Sequence, residues 1–169
     1  AATPSGFGFY SAPKGTIYGL TMIVDFSDKT AAFTVDQVKA WLNSPGYSTG
    51  GCNGSVRDYY YDCSNGQLEL QNDVVGYYRA QHPKSYYEGL SGYSGATALI
   101  NEMMTWFDPT VNFSKYDNDK NGTTEASNFV YAGSGQTFAQ GLWPQSGSIN
   151  QTKDGVRVLT GPPVPGEDL

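Results

Sequence analysis

The sequence predicts a mixed α/β (α+β) domain on three observations. IYGLTMIV, Ile17 to Val24, is an apolar run of strand length; apolar residues from Ala96 to Phe107 recur at helical spacing; and 169 residues is the size of one compact domain. A chain of that length buries roughly two thirds of its unfolded surface, enough for one core. Residues 1–169 therefore read as a single domain, with 1–15 and 160–169 as extended termini.

IYGLTMIVDF is rich in β-branched residues and apolar on both faces for most of its length, the pattern of a buried central strand, and the strand ends at Asp25. Thr34 followed by Gln37 forms a capping box, after which Val35, Val38, Trp41 and Leu42 share a helical face until Ser44-Pro45-Gly46 stops it. Ser55 caps a second helix, with Asp58 in its first turn and Val56, Tyr59, Tyr60 and Cys63 spaced for one side. QLELQNDVVGYYR reads as a hairpin or two successive strands, turning near Asn72-Asp73. From Ser94, residues Ala96, Leu99, Ile100, Met103, Met104 and Phe107 form the stripe of a long amphipathic helix that Asp108-Pro109 ends. Trp41 and Trp106 lie on these helices and are expected to pack. NFVYAGSGQ is a short strand running into a glycine turn, and the tail GPPVPGEDL is extended because its prolines forbid helix.

Only 15% of the residues are charged, while Gly, Ser, Asn and Tyr are abundant, a composition common in secreted proteins. The net charge of −6 comes without any Lys/Arg cluster, which excludes nucleic acid and anionic membranes as partners. No run reaches the ~18 to 20 apolar residues of a membrane span. The opening AATPSG suits a mature terminus left after a leader is removed. Cys52 and Cys63 are separated by a stretch that one short helix and a turn could close, so a disulfide is expected, the alternative being two buried free thiols. A single histidine, His82, sits before Pro83, leaving no Ser/His/Asp or multi-histidine zinc constellation, and no catalytic residue is assigned.

The acidic stretch KYDNDKNGTTEASNF carries the chemistry. Asp117, Asp119, Asn121, Gly122 and Glu125 stand at positions one, three, five, six and nine of an EF-hand-type loop, with the carbonyl of Thr123 at seven. Oxygen ligands at alternate positions converge when such a loop coils, and this set suits Ca²⁺ over the smaller, more hydrated Mg²⁺. Position twelve is Asn128 rather than a bidentate Glu, so the expectation is a structural calcium site and not a helix-loop-helix sensor. The alternative is a solvated acidic loop.

GLTMIVDFSD, then GSVRDYYYDCSNGQLEL, then YDNDKNG from Tyr116 with NFVYAGSGQ after it, resembles the secreted metallopeptidases of the immune inhibitor A family in both motif and order. The resemblance covers roughly residues 17–145. It implies a zincin-like central twisted sheet with packing helices, endopeptidase activity and export. The family's zinc motif, H-E-x-x-H, is absent from this chain, and relatives tend to carry histidines where this sequence has Tyr131 and Gln145. What the resemblance implies is thus an incomplete catalytic domain: the N-terminal, calcium-stabilised part of a secreted zinc endopeptidase. Zn²⁺ is expected only in the completed enzyme, whose C-terminal half would be the partner of this chain, with a peptide or protein as substrate. In zincins the strand beside the active-site helix pairs with substrate, which points to Tyr131, Ala132, Gly133, Ser134 and Gly135. Two other readings stand: a calcium-stabilised non-catalytic module binding glycan or protein, suggested by thirteen Tyr and three Trp, and a degenerate peptidase scaffold.

Overall fold

The computed structural model describes residues 13–137, 140–144, 147–160 and 164–166. Most of both expected extended termini therefore lies outside the described residues.

Strand β1 (Gly15–Asp25) and strand β2 (Leu68–Arg79) run parallel, and strand β3 (Ser127–Ala132) pairs parallel on the other side of β1. Beyond β3 lie strand β5 (Val156–Thr160) and, antiparallel to it, strand β4 (Gly147–Lys153), giving the order β2-β1-β3-β5-β4. A short strand β6 (Val164–Gly166) also pairs with β3, at Val130 to Ala132. This is a mixed α/β fold with a parallel core.

From Leu20 onward β1 is buried on both faces. Leu20, Met22 and Val24 pack into a core with helix α4 (Ser94–Phe107), whose stripe Ala96, Leu99, Ile100, Met103, Met104 and Phe107 is buried as its periodicity predicts. Ile23 lies in a second cluster with Val74, Val130 and the Val38 and Leu42 of helix α1 (Val35–Asn43). Each such side chain contributes about 1.5–3 kcal/mol on burial. Trp106 departs from expectation: it turns away from the stripe and is 62% exposed, resting against Tyr78 at 5.3 Å between ring centroids.

Both expected caps form. Thr34 and Gln37 close the capping box of α1, and Ser55 and Asp58 close a second one on helix α2 (Val56–Cys63). Asp58 accepts the Ser55 and Gly46 amides, which hold its carboxyl below the usual carboxylate range, the Ser55 amide most strongly. Asp28 is lowered in the same way, chiefly by the Lys84 amide, and Glu69 chiefly by the Arg57 guanidinium. A depressed folded pKa contributes stability above the ordinary value and loses it as pH falls through the lower one. The melting temperature is therefore expected to drop as pH is taken from about 4 toward 2, and Asp58→Asn should flatten part of that slope in thermal melts. An identical slope in the variant would contradict the assignment.

The stretch Leu68 to Arg79 is one strand and not a hairpin. Asn72-Asp73 would favour a turn, but the side-chain amide of Asn43, at the end of α1, pairs with both backbone groups of Asn72: Oδ1 accepts its N–H at 2.7 Å and Nδ2 donates to its C=O at 3.0 Å. A tertiary contact thus holds the pair extended. The ladder shifts register between Met22 and Val24, opposite Gly76, where a Cβ would collide with the Ile23 carbonyl oxygen.

Three more elements were not expected. Helix α3 (Lys84–Glu88) follows Pro83, and the β4–β5 pair closes the sheet beyond β3. At the junction of α3 and α4, three backbones touch. A Cβ on Gly95 would strike the Tyr87 carbonyl oxygen and lie 2.9 Å from that of Gly141, and a Cβ on Gly141 would strike Tyr87 and Glu88.

Candidate metal centre

The acidic loop joins a 3₁₀ turn (Phe113–Tyr116) to the start of β3. A carboxylate oxygen from each of Asp117, Asp119 and Glu125 lies within 4.8 Å of the others. Asp117 is buried and the other two are exposed, so the cluster opens to solvent at its rim. Coulomb repulsion at that spacing is about 1 kcal/mol per pair in bulk water and about 3 kcal/mol at an effective dielectric of 20.

Main-chain and side-chain donors hold the oxygens in place. The Asn121 amide donates to Asp117 Oδ1 (3.0 Å) and Asp119 Oδ1 (3.1 Å), and the Gly122 amide donates to Asp117 Oδ2 (3.1 Å). Asn121 Oδ1 accepts the Thr123 amide at 2.8 Å and the Thr123 hydroxyl. Gly122, at φ +87°, takes the left-handed conformation that the turn requires. The outer side of the loop is fixed to β5: Arg157 N–H donates to Gly122 O (2.8 Å), and Thr124 N–H donates to Arg157 O (3.0 Å). In a parallel bridge of this kind the central residue's own groups point away from the partner, so the Thr123 carbonyl faces away from β5. The base of the loop is anchored by Tyr116, whose hydroxyl donates to Asp73 of β2 at 2.8 Å; burial first, and then that hydrogen bond, push its phenol above the usual range. Lys115 pairs with Asp73 and lies over the rings of Tyr18 and Tyr116.

The three clustered carboxylates offer oxygen donors and three negative charges, which fits a hard divalent cation, whereas Asn121 Oδ1 accepts from Thr123 within the loop. One residue that spacing did not single out belongs to the site. Asn118, between the first two acids, donates to Glu125 Oε2 from both its backbone N–H and its Nδ2, each at 2.8 Å. Its type gave no signal, since an intervening position of such a loop is read as a spacer.

Tyr131 and Ala132 are buried; Tyr131 pairs with Val24 of β1 on one edge and with β6 on the other, and Ala132 pairs with β6. Other strands of the chain thus occupy both edges of Tyr131. The chain turns at Gly133 (φ +89°), and only Ser134 and Gly135 emerge from the sheet. Lys84 fixes this turn: nearly buried, it pairs with Glu88, donates to Ser134 O at 3.0 Å and lies over the Tyr131 ring. Removing Glu88 leaves that ammonium without its counter-ion. Glu88→Ala is therefore expected to destabilise the fold by about 3 kcal/mol in urea melts; a loss below about 1 kcal/mol, the usual value of a surface pair, would contradict the clamp.

The expected disulfide does not form: Cys52 and Cys63 are both free and exposed. Cys52 precedes α2 and Cys63 is its last residue, so a helix about 12 Å long lies between them in the chain. His82 is exposed and stacks on Tyr86 at 4.1 Å between centroids. Among the described residues no helix is long and apolar enough to cross a membrane. Compared with protein-family models and with curated proteins, the chain matches none.

Proposed function

We propose that this chain is the calcium-stabilised N-terminal part of the catalytic domain of a secreted zinc endopeptidase. The observation that carries the reading is the acidic loop, whose three carboxylates converge at the foot of β3 within the same succession of segments that resembles the immune inhibitor A family. The parallel core of β1, β2 and β3 with helices on both faces is compatible with a zincin-like sheet. Calcium, held by Asp117, Asp119, Asn121, Glu125 and the Thr123 carbonyl, would neutralise the cluster and fix the entry to β3. The chain has one histidine and no H-E-x-x-H, so the zinc ligands and the general base belong to residues beyond these 169. Here the chain's own work is to build the sheet and hold the Ser134–Gly135 turn through Lys84, at the end of the strand the resemblance sets beside the catalytic centre.

The test is to express these residues together with those encoded after Leu169. Zinc-dependent cleavage of a denatured protein, lost on chelation and absent from the 169-residue chain alone, supports the proposal. A continuation without H-E-x-x-H, or without such cleavage, overturns it.

One observation favours a second reading, a non-catalytic module that binds glycan. The exposed Trp106 borders a groove of about 650 Å³ that also carries Tyr78, Gln81, Asn101, Glu102 and Thr105, an aromatic face beside polar groups. Retention on a polysaccharide column, lost in Trp106→Ala, would favour it.

A further inference from the structure

Asn118 does more than hold Glu125. Its side chain also pairs with β1: the Tyr18 amide donates to Asn118 Oδ1 at 2.8 Å, and Asn118 Nδ2 donates to the Tyr18 carbonyl at 3.0 Å. Tyr18 stands two residues before Leu20, whose amide donates to the carbonyl of Ala126 at 2.8 Å, just before β3 begins. The side of β1 that β3 covers from Leu20 onward is thus continued by one rung, and the amide of Asn118 plays the part of the missing peptide. The same Nδ2, which has two protons for its three acceptors, also lies 3.1 Å from the Tyr116 carbonyl and 2.8 Å from Glu125 Oε2. One planar amide therefore touches the first strand, the base of the acidic loop and its last carboxylate.

We propose that Asn118 is the positioning residue that presents Glu125 to the cation and couples occupancy of the loop to the N-terminal half of β1. The inference rests on the calcium reading of the loop. Two donors on Oε2 fix the rotamer of Glu125 and leave Oε1 for the ion; the rotamer that binds the ion is then the one that keeps Asn118 on the Tyr18 rung. Binding and closure of that rung favour each other, and by linkage the effect is reciprocal. Side chains that orient a metal ligand typically change affinity 10- to 100-fold when removed.

The test uses calcium alone, titrated calorimetrically into chelator-stripped protein, together with hydrogen exchange at the Tyr18 amide. In the unaltered protein, saturating calcium is expected to slow exchange at Tyr18 about tenfold or more. Asn118→Ala is expected to weaken calcium binding about 10- to 100-fold and to make Tyr18 exchange insensitive to calcium. If the variant binds as tightly as the unaltered protein, or if Tyr18 exchange in the unaltered protein ignores calcium, the coupling is wrong. The exchange measurement needs no variant, so the inference can fail even if Asn118→Ala does not fold. If the unaltered protein binds no calcium, the metal reading fails as well, and that result is distinct from either of the others.

Discussion

Saturating calcium is expected to raise the melting temperature of the chelator-stripped protein by about 5 to 10 °C, since ligand at a hundred times its Kd adds about 2.7 kcal/mol and a chain of this length gains about 2–4 °C per kcal/mol. The sign follows from the carboxylate cluster. Three oxygens within 4.8 Å repel one another in the absence of a cation, and a divalent ion converts the same geometry into attraction. Asp117→Ala should abolish the calcium-dependent part of the shift, because Asp117 is the buried member and its two oxygens organise the amides of Asn121 and Gly122. Magnesium at the same concentration should do less, since its octahedral shell gives up water reluctantly. A melt unchanged by calcium or by chelator, with no calcium found by elemental analysis of the purified protein, would remove the metal centre.

Gly95→Ala is expected to lower the melting temperature by about 6 to 12 °C, a loss of about 3 kcal/mol at the upper end of overpacking penalties. Helix propensity alone predicts the opposite sign, because alanine inside a helix is better than glycine by about 1 kcal/mol. Packing decides the outcome: the new methyl would meet the Tyr87 carbonyl oxygen, and behind it the Gly141 backbone, and neither is the free end of a flexible side chain. Urea unfolding of Gly95→Ala and Gly141→Ala measures both sides of this junction. A neutral or stabilising Gly95→Ala would mean that α3 and α4 do not approach so closely.

The caps, the apolar β1 run and the stripe of α4 were legible because each is written in nearest neighbours or in one helical face. Thr34 with Gln37, and Ser55 with Asp58, are local devices that tertiary structure had only to leave alone. The same loop spacing that named Asp117, Asp119 and Glu125 brings their carboxylates together. What was not legible depends on distant partners. Asn72-Asp73 carries a turn signal, but Asn43, remote in sequence, overrides it by bonding both backbone groups of Asn72. Cys52 and Cys63 are close in sequence, yet a rigid helix stands between them. Trp106 sits beside stripe residues, and a small rotation about the α4 axis puts it in solvent. The resemblance to zincins points to Tyr131 and Ala132, but the sequence does not say which strands pair on each side of β3.

Asn43 has a consequence for the protein in concentrated solution. β2 is the outer strand of the sheet, and an outer strand of twelve residues is a template on which a second copy could add its own. The Asn43 amide occupies the Asn72 rung in the middle of that template, so an incoming strand cannot run its length without a break. A contact that keeps Asn72-Asp73 extended within one molecule thus also interrupts the edge on which a second copy would pair.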